Sequence, residues 1–225
     1  MPWRDWIRTV EVEPSIYAAN FAVLGEQLET LCRAGCRVFH FDMGDGHFIE
    51  PVTMGPIVLE SIAPLIHRWD AVIDVHLMVD NPVKHFASVK AAGGDSVTFH
   101  HEAVDDVATT IALAREQDLQ VGLAFNPETE PEAVAPDADG VDFVLCMAIH
   151  PGYSGQAFRP ETLERVRRLR ALLPDDVHIQ VDGGVGPDNI RDLYAEGACL
   201  FVAGSAIFGR EDLPRAYRRL VQDLA

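Results

Sequence analysis

Positive charge is what this chain has least of. Lysine and arginine together number 18 against 35 aspartates and glutamates, a formal net charge of −17. A field of that sign repels nucleic acid and anionic lipid, so neither is an expected partner. It also repels an anionic small molecule, so any phosphate site must be made locally positive by backbone amides or a metal. Long apolar runs are missing too: no stretch approaches the ~18 uninterrupted apolar residues of a membrane span, and no membrane association is expected. Residues 1–9 carry two Arg, an Asp and two Trp but no apolar run, so they do not read as a signal peptide. Cysteine is sparse. Cys32, Cys36, Cys146 and Cys199 lack the paired spacing of a zinc site and read as free thiols in a reducing cytosol. A cytoplasmic location is expected. No Ser- or Pro-rich linker divides the chain, and 225 residues with 48% apolar content suffice for one large core.

What is present is a regular alternation of short apolar runs and amphipathic segments. Strands are expected over 12–16, 38–43, 71–78, 96–100, 120–125, 143–148, 178–181 and 200–203. Helices are expected over 24–34, 57–66, 83–92, 104–117, 130–135, 159–172, 187–195 and 213–224. Eight strand-then-helix units with short connections imply an all-parallel sheet, and eight strands close a (β/α)8 TIM barrel, here a single domain over 1–225. Such barrels carry their sites at the C-terminal strand ends. Those ends hold Ser15, then His40 and Asp42, Asp74 and His76, His100, Asn126, Met147, Asp182 and Ser205.

His40 and Asp42 stand two apart, so on a strand both side chains face the same way. Alone, the pair is equally readable as a hydrogen-bonded structural couple. With His76 and Asp182 at the same end it becomes two neutral imidazoles and two carboxylates, a set that neutralises one divalent cation per chain. Zinc fits, as do manganese, ferrous iron and cobalt. Asp42 and Asp182 imply more. Strands two and seven lie roughly 135° apart around the ring, so two carboxylates there can flank opposite faces of a flat intermediate. A cation keeps one ionised and neighbouring negative charge raises the other, giving a base and an acid. Proton removal α to a carbonyl on one face and return on the other is an epimerisation.

Three glycine-rich loops share that end of the barrel. They are the stretches containing Gly152, Tyr153, Ser154 and Gly155, then Gly183 and Gly184, then Gly204 and Ser205. Glycines let backbone N–H groups approach an anion, and a helix opening near Ser205 adds its positive end. None of these loops, as far as Gln156, contains Lys or Arg, so amides have to hold the phosphate.

Several motifs now resemble one family. Glu-Pro-Ser-Ile at 13–16, Asp-Gly-His-Phe at 45–48 and Val-His-Leu-Met at 75–78 are similar to ribulose-phosphate 3-epimerases. So are Thr-Phe-His at 98–100, Asn126-Pro127, His-Pro-Gly-Tyr-Ser-Gly-Gln at 150–156, Val-Asp-Gly-Gly-Val at 181–185 and Val-Ala-Gly-Ser-Ala-Ile-Phe at 202–208. The resemblance implies a barrel of the ribulose-phosphate-binding type with a divalent metal at His40, Asp42, His76 and Asp182. It implies Asp42 and Asp182 as the acid/base pair working through an enediolate. It places Ser15, His76, Met78 and Met147 in the substrate pocket and the three loops at the phosphate. The expected reaction is C3 epimerisation of a small-molecule sugar phosphate, D-ribulose 5-phosphate to D-xylulose 5-phosphate, by a homo-oligomer. The chain departs from the family at Met43-Gly44, where Val-Met is usual, and at Ile49-Glu50-Pro51, Asn20 and His150. A smaller side chain at 44 is expected to enlarge or soften the pocket, which keeps a ketohexose 6-phosphate open as substrate. Aldol-type chemistry needs no opposed carboxylates, and neither does a non-catalytic sugar-phosphate sensor.

Overall fold

Strands that run apolar for their whole length have to be covered on both faces, and each strand here is. The computed structural model describes residues 10–153 and 155–224. The expectation for residues 1–9 and the phosphate-loop Ser154 therefore lie outside the described residues. The strands are β1 Glu11–Pro14, β2 Val38–Gly44, β3 Val72–Met78, β4 Ser96–His100, β5 Gln120–Phe125, β6 Phe143–Met147, β7 His178–Asp182 and β8 Leu200–Ala203. Between them run α1 Leu24–Arg33, α2 Pro56–His67, α3 Val83–Ala91, α4 Val107–Glu116, α5 Pro131–Val134, α6 Thr162–Leu172 and α7 Ile190–Ala195. After β8 come α8 Ser205–Phe208 and α9 Leu213–Asp223.

All strand pairs are parallel, in the order β1-β8-β7-β6-β5-β4-β3-β2. A parallel bridge between Ser15 and His40 brings the two ends together, so the eight-stranded barrel is nearly closed. Along each strand alternate side chains divide the labour. Phe39, Phe41, Val75, Phe99 and Phe201 point outward, fully buried in the shell shared with Leu28, Leu31 and Leu59 of the helices. Burial of each such side chain contributes roughly 1.5–3 kcal/mol before entropy is set against it. Inside, Val38, Phe143 and Leu200 plug the lower end as a separate apolar cluster. The polar residues sit above that plug.

The boundaries differ from expectation where local hydrogen bonds compete. The first strand stops at Pro14, and Ile16–Ala18 form a 3-10 turn, leaving Ser15 at the strand's exit. The helix expected from 104 starts at Val107 because the Asp106 carboxylate accepts the Thr109 N–H at 2.9 Å and caps it. The helix expected from 187 starts at Ile190, since Asn189 Oδ1 accepts the Gly186 N–H at 2.9 Å and holds a turn first. All four cysteines are free. No described helix is long and apolar enough to cross a membrane.

Candidate active site

Parallel register sets the layers of the barrel interior. His40 lies beside Asp74, Asp42 beside His76, and Met147 beside Asp182. At this level His40 Nε2, His76 Nδ1 and Asp42 Oδ1 converge, with separations of 3.3 Å from Asp42 to each imidazole and 3.4 Å between the imidazoles. One ligand atom each from His40, Asp42, His76 and Asp182 falls within 4.8 Å of all the others.

Outer hydrogen bonds fix what these imidazoles present. His40 Nδ1 lies 3.0 Å from Asp74 Oδ2, so its N–H is spent on that carboxylate and the Nε2 lone pair faces the cluster. Asp74 is held in turn by Ser96 Oγ at 2.7 Å and Thr98 Oγ1 at 3.0 Å. His76 Nε2 lies 2.8 Å from His100 Nε2, which turns the Nδ1 lone pair of His76 inward. The chain continues outward: His100 Nδ1 is 3.4 Å from Glu102 Oε2, and Phe48 packs against the His100 ring at 4.7 Å between centroids. Burial, opposed by the Glu102 carboxylate beside it, leaves His100 at about 4, a neutral acceptor at physiological pH.

Charge in the cluster is unbalanced in a telling way. Burial disfavours the His40 imidazolium, yet Asp42 and Asp74 outweigh it and raise its pKa well above the ordinary value. Burial likewise opposes ionisation of Asp42, but the positive charge that His40 carries in the metal-free cluster holds it well below the usual carboxylate range. Asp182 goes the other way, pushed up to about 7 by burial and by the Asp42 charge. The site thus draws positive charge to its centre, as a proton or as a cation. Two inward nitrogens and two carboxylates within this spacing fit a divalent metal, so the residues present suit the group expected.

The pocket above this layer collects most of the residues expected there. Ser15, Asp42, Met78, Met147 and Asp182 line its floor and walls. Ser15 Oγ donates to Asp42 Oδ2 at 2.7 Å and orients that carboxylate. Gly152, Tyr153 and Gly155 line it as well, as do Gly183, Gly184, Gly204 and Ser205. No Lys or Arg is among the described lining residues. Gly183 has φ +113°, and a Cβ there would fall 2.5 Å from Ile149 Cγ1. Gly184 has φ +67°, and its Cβ would meet the Phe158 backbone nitrogen at 2.7 Å, so side chains are excluded where amides face the pocket. His76, expected at both metal and substrate, does not line the pocket; it is fully buried beside Asp42.

The expectation that Gly44 leaves free volume is overturned. Gly44 continues the inward register of His40 and Asp42, but a Cβ on it would lie 2.4 Å from Ile49 Cδ1, 3.0 Å from Ile49 Cγ1 and 3.2 Å from the Pro51 carbonyl. Ile49, itself buried, occupies the volume. The two departures from the usual family pattern compensate each other.

Sequence reasoning assigned no role to Asp74, His100 or Glu102, although the first two were visible at strand ends. It also passed over a buried strut. Gln180 Nε2 donates to Glu13 Oε2 at 2.6 Å and to Asp74 Oδ2 at 3.1 Å, beneath the cluster. Arg165 reads as a surface residue of α6 but is buried. Its guanidinium donates to the carbonyls of Met147 at 2.7 Å and Asn126 at 2.8 Å, tying together the ends of β5 and β6.

A family model described as the ribulose-phosphate 3 epimerase family matches residues 11–208. The ribulose-phosphate 3-epimerase of Escherichia coli (strain K12) is 40% identical over 220 residues, 95% of this chain and 96% of that protein. The one from Bacillus subtilis (strain 168) is 34% identical over 211 residues, 92% and 96% of the two chains. Among solved structures, KGPDC from Streptococcus mutans superposes with a TM-score of 0.71 at 13% identity, covering 96% of this chain and 98% of that one. Thiamine phosphate pyrophosphorylase from Pyrococcus furiosus gives 0.67 at 17% identity, covering 96% of each chain. Likeness at these identities speaks for the barrel alone.

Proposed function

The chain belongs to the ribulose-phosphate 3-epimerase family, and from that premise we propose that it interconverts D-ribulose 5-phosphate and D-xylulose 5-phosphate with Asp42 and Asp182 as its two proton-transfer groups. The observation that carries this reading is geometric: both carboxylates line one pocket, reaching it from β2 and β7, and burial together with the Asp42 charge pushes Asp182 up to about 7. An ionised Asp42 takes the C3 proton from one face of the bound ketose, leaving an enediolate, and protonated Asp182 returns a proton to the opposite face. The reverse reaction starts from the other protonation state, with Asp182 as base and Asp42 as acid. Ser15 keeps the reacting oxygens of Asp42 aimed, through its 2.7 Å hydrogen bond. Met78 and Met147 wall the space in which the intermediate lies flat.

His40, Asp42, His76 and Asp182 are the residues that would hold a divalent metal, with zinc, ferrous iron, manganese and cobalt all suited to two nitrogens and two oxygens. Such a cation supplies positive charge beside the oxygens on which the enediolate's charge develops. Backbone amides of the Gly183–Gly184 turn and the first turn of α8 at Ser205 take the phosphate. That arrangement lets an acidic protein bind an anion without a basic side chain. A five-carbon substrate is favoured over a ketohexose phosphate, because Ile49 fills the volume that Gly44 would otherwise open.

The test is turnover of D-ribulose 5-phosphate in D2O by metal-stripped and reconstituted protein, with the two single variants Asp42→Asn and Asp182→Asn. Deuterium is expected at C3 of the product, with turnover lost on chelation and regained with one divalent ion per chain. Each variant should lose epimerisation by about 10²–10⁴-fold. One of them should still exchange the C3 proton of one epimer with solvent, since the base on that face survives. Full activity without metal, or product free of deuterium, overturns the reading.

A further inference from the structure

Arginines in this acid-rich chain are mostly engaged. Arg115 pairs with Asp142 at 2.8 Å, Arg191 with Asp223 at 3.0 Å, Arg168 with Glu130 and Glu132, and Arg170 with the Val177 carbonyl at 2.9 Å. Arg210, Arg215 and Arg219, like Arg37, Arg68 and Arg218, are not, but the first three share a cleft. Among the described residues none of their guanidinium groups has an acidic or carbonyl partner, and all three are exposed on one cleft of about 300 Å³. Arg215 and Arg219 are four apart on α9 and share a face, and Arg210 reaches in from the loop before that helix. Pro187 and Ala206 also line the cleft. The one acid on the cleft, Asp212, is occupied as the cap of α9, accepting the Arg215 N–H at 2.9 Å.

We propose that this cleft is a second anion site, separate from the substrate pocket, for a small molecule carrying a diphosphate group. Three guanidinium groups gathered beside a single carboxylate are the reverse of what 35 acids and 18 bases would scatter over a surface. They repel one another until an anion sits between them. Guanidinium forks match phosphate oxygens two at a time. The cleft is concave, and its volume falls at the lower end of the range for small-molecule pockets. Three guanidinium forks offer more donors than one phosphate group can take at once, and a diphosphate presents oxygens for all of them.

The position gives the site a consequence. Ala206 on the cleft wall directly follows Ser205, which lines the substrate pocket, and both belong to the four-residue helix α8. The loops after β7 and β8 touch beside them: a Cβ on Gly186 would lie 3.6 Å from Ala206 Cβ. An occupant of the cleft therefore bears on the same short helix whose first turn faces the substrate phosphate. Its effect should fall on KM for the phosphorylated substrate more than on kcat.

The experiment titrates the metal-loaded enzyme with ADP and with inorganic phosphate by calorimetry, at two salt concentrations, alongside the Arg215→Gln/Arg219→Gln double variant. Both residues are exposed and outside the catalytic pocket, so kcat and KM measured without ADP should match the wild type. We expect one ADP-binding event per chain, weakened by salt and weaker by about tenfold or more in the double variant. Bound ADP should change KM in the wild type and leave it unchanged in the variant. Equal ADP binding by both proteins, or no binding by the wild type at millimolar ADP, overturns the proposal. So does a change of oligomeric state in the variant without ADP binding by the wild type, which would make the cleft a subunit contact.

Discussion

Replacing Gly44 by methionine puts the compensation between Gly44 and Ile49 to a quantitative test. The first atom of the new side chain would sit 2.4 Å from Ile49 Cδ1 and 3.2 Å from the Pro51 carbonyl, where ordinary contact begins near 3.4 Å. The φ of Gly44 is not positive, so the cost is packing and not backbone strain. Ile49 is buried between Gly44 and the Gly152 turn, where a Cβ at 152 would lie 3.5 Å from Ile49 Cβ, so it has little room to retreat. Overpacking of this kind costs about 1–3 kcal/mol, a fall in Tm of roughly 2–12 °C for a chain of this size. Ile49→Ala alone removes a buried side chain and should cost about 2–5 kcal/mol. Together the two changes should cost less than their sum by about 1 kcal/mol or more, because the flexible methionine enters the volume isoleucine vacates. Denaturant melts of the four proteins measure that coupling. Simple additivity would refute the claim that the two residues share one volume. In activity, Ile49→Ala alone should raise kcat/KM for a ketohexose 6-phosphate relative to D-ribulose 5-phosphate by about tenfold, and the double variant should restore the original ratio.

The contrast between Gly44 and the barrel itself marks the limit of what the sequence carries. Eight apolar runs separated by amphipathic stretches admit few architectures, because parallel strands need covering on both faces and short connections leave only the barrel. Given that fold, His40, Asp42, His76 and Asp182 had to emerge at the same end, and their chemistry named the candidate site. Relations between side chains far apart in the chain were not legible in the same way. The pairing of His100 with His76 depends on the registers of β3 and β4, and the strut from Glu13 through Gln180 to Asp74 spans most of the chain. Arg165 looked like one more charge on an amphipathic helix, since nothing local says that the Met147 and Asn126 carbonyls await it. The motif at Gly44 misled for the same reason: its neighbour five residues on folds back into the gap, and only the loop's path reveals it.

Three further outcomes are expected. Asp74→Asn removes the carboxylate that takes the His40 Nδ1 proton, and should weaken metal binding by about 10–100-fold in a chelator competition; unchanged affinity would show that the tautomer is fixed some other way. Gly184→Val places a side chain against the Phe158 backbone and should raise KM for the phosphorylated ketose by roughly tenfold or more; equal turnover of the dephosphorylated sugar by the wild type would remove the phosphate from these loops. The last concerns pH. Without a metal His40 holds a proton well above the ordinary histidine range, whereas a metal needs its Nε2 lone pair. Binding must therefore expel that proton, and apparent metal affinity should fall by about tenfold for each proton expelled as pH drops by one from neutrality. Asp42 takes no part in that slope, because it is already ionised throughout the range. Calorimetry in buffers of different ionisation enthalpy counts the protons released directly. A metal affinity that is level between pH 6 and 8 would mean that the negative charge around His40 and Asp182 is not what draws a cation to this end of the barrel.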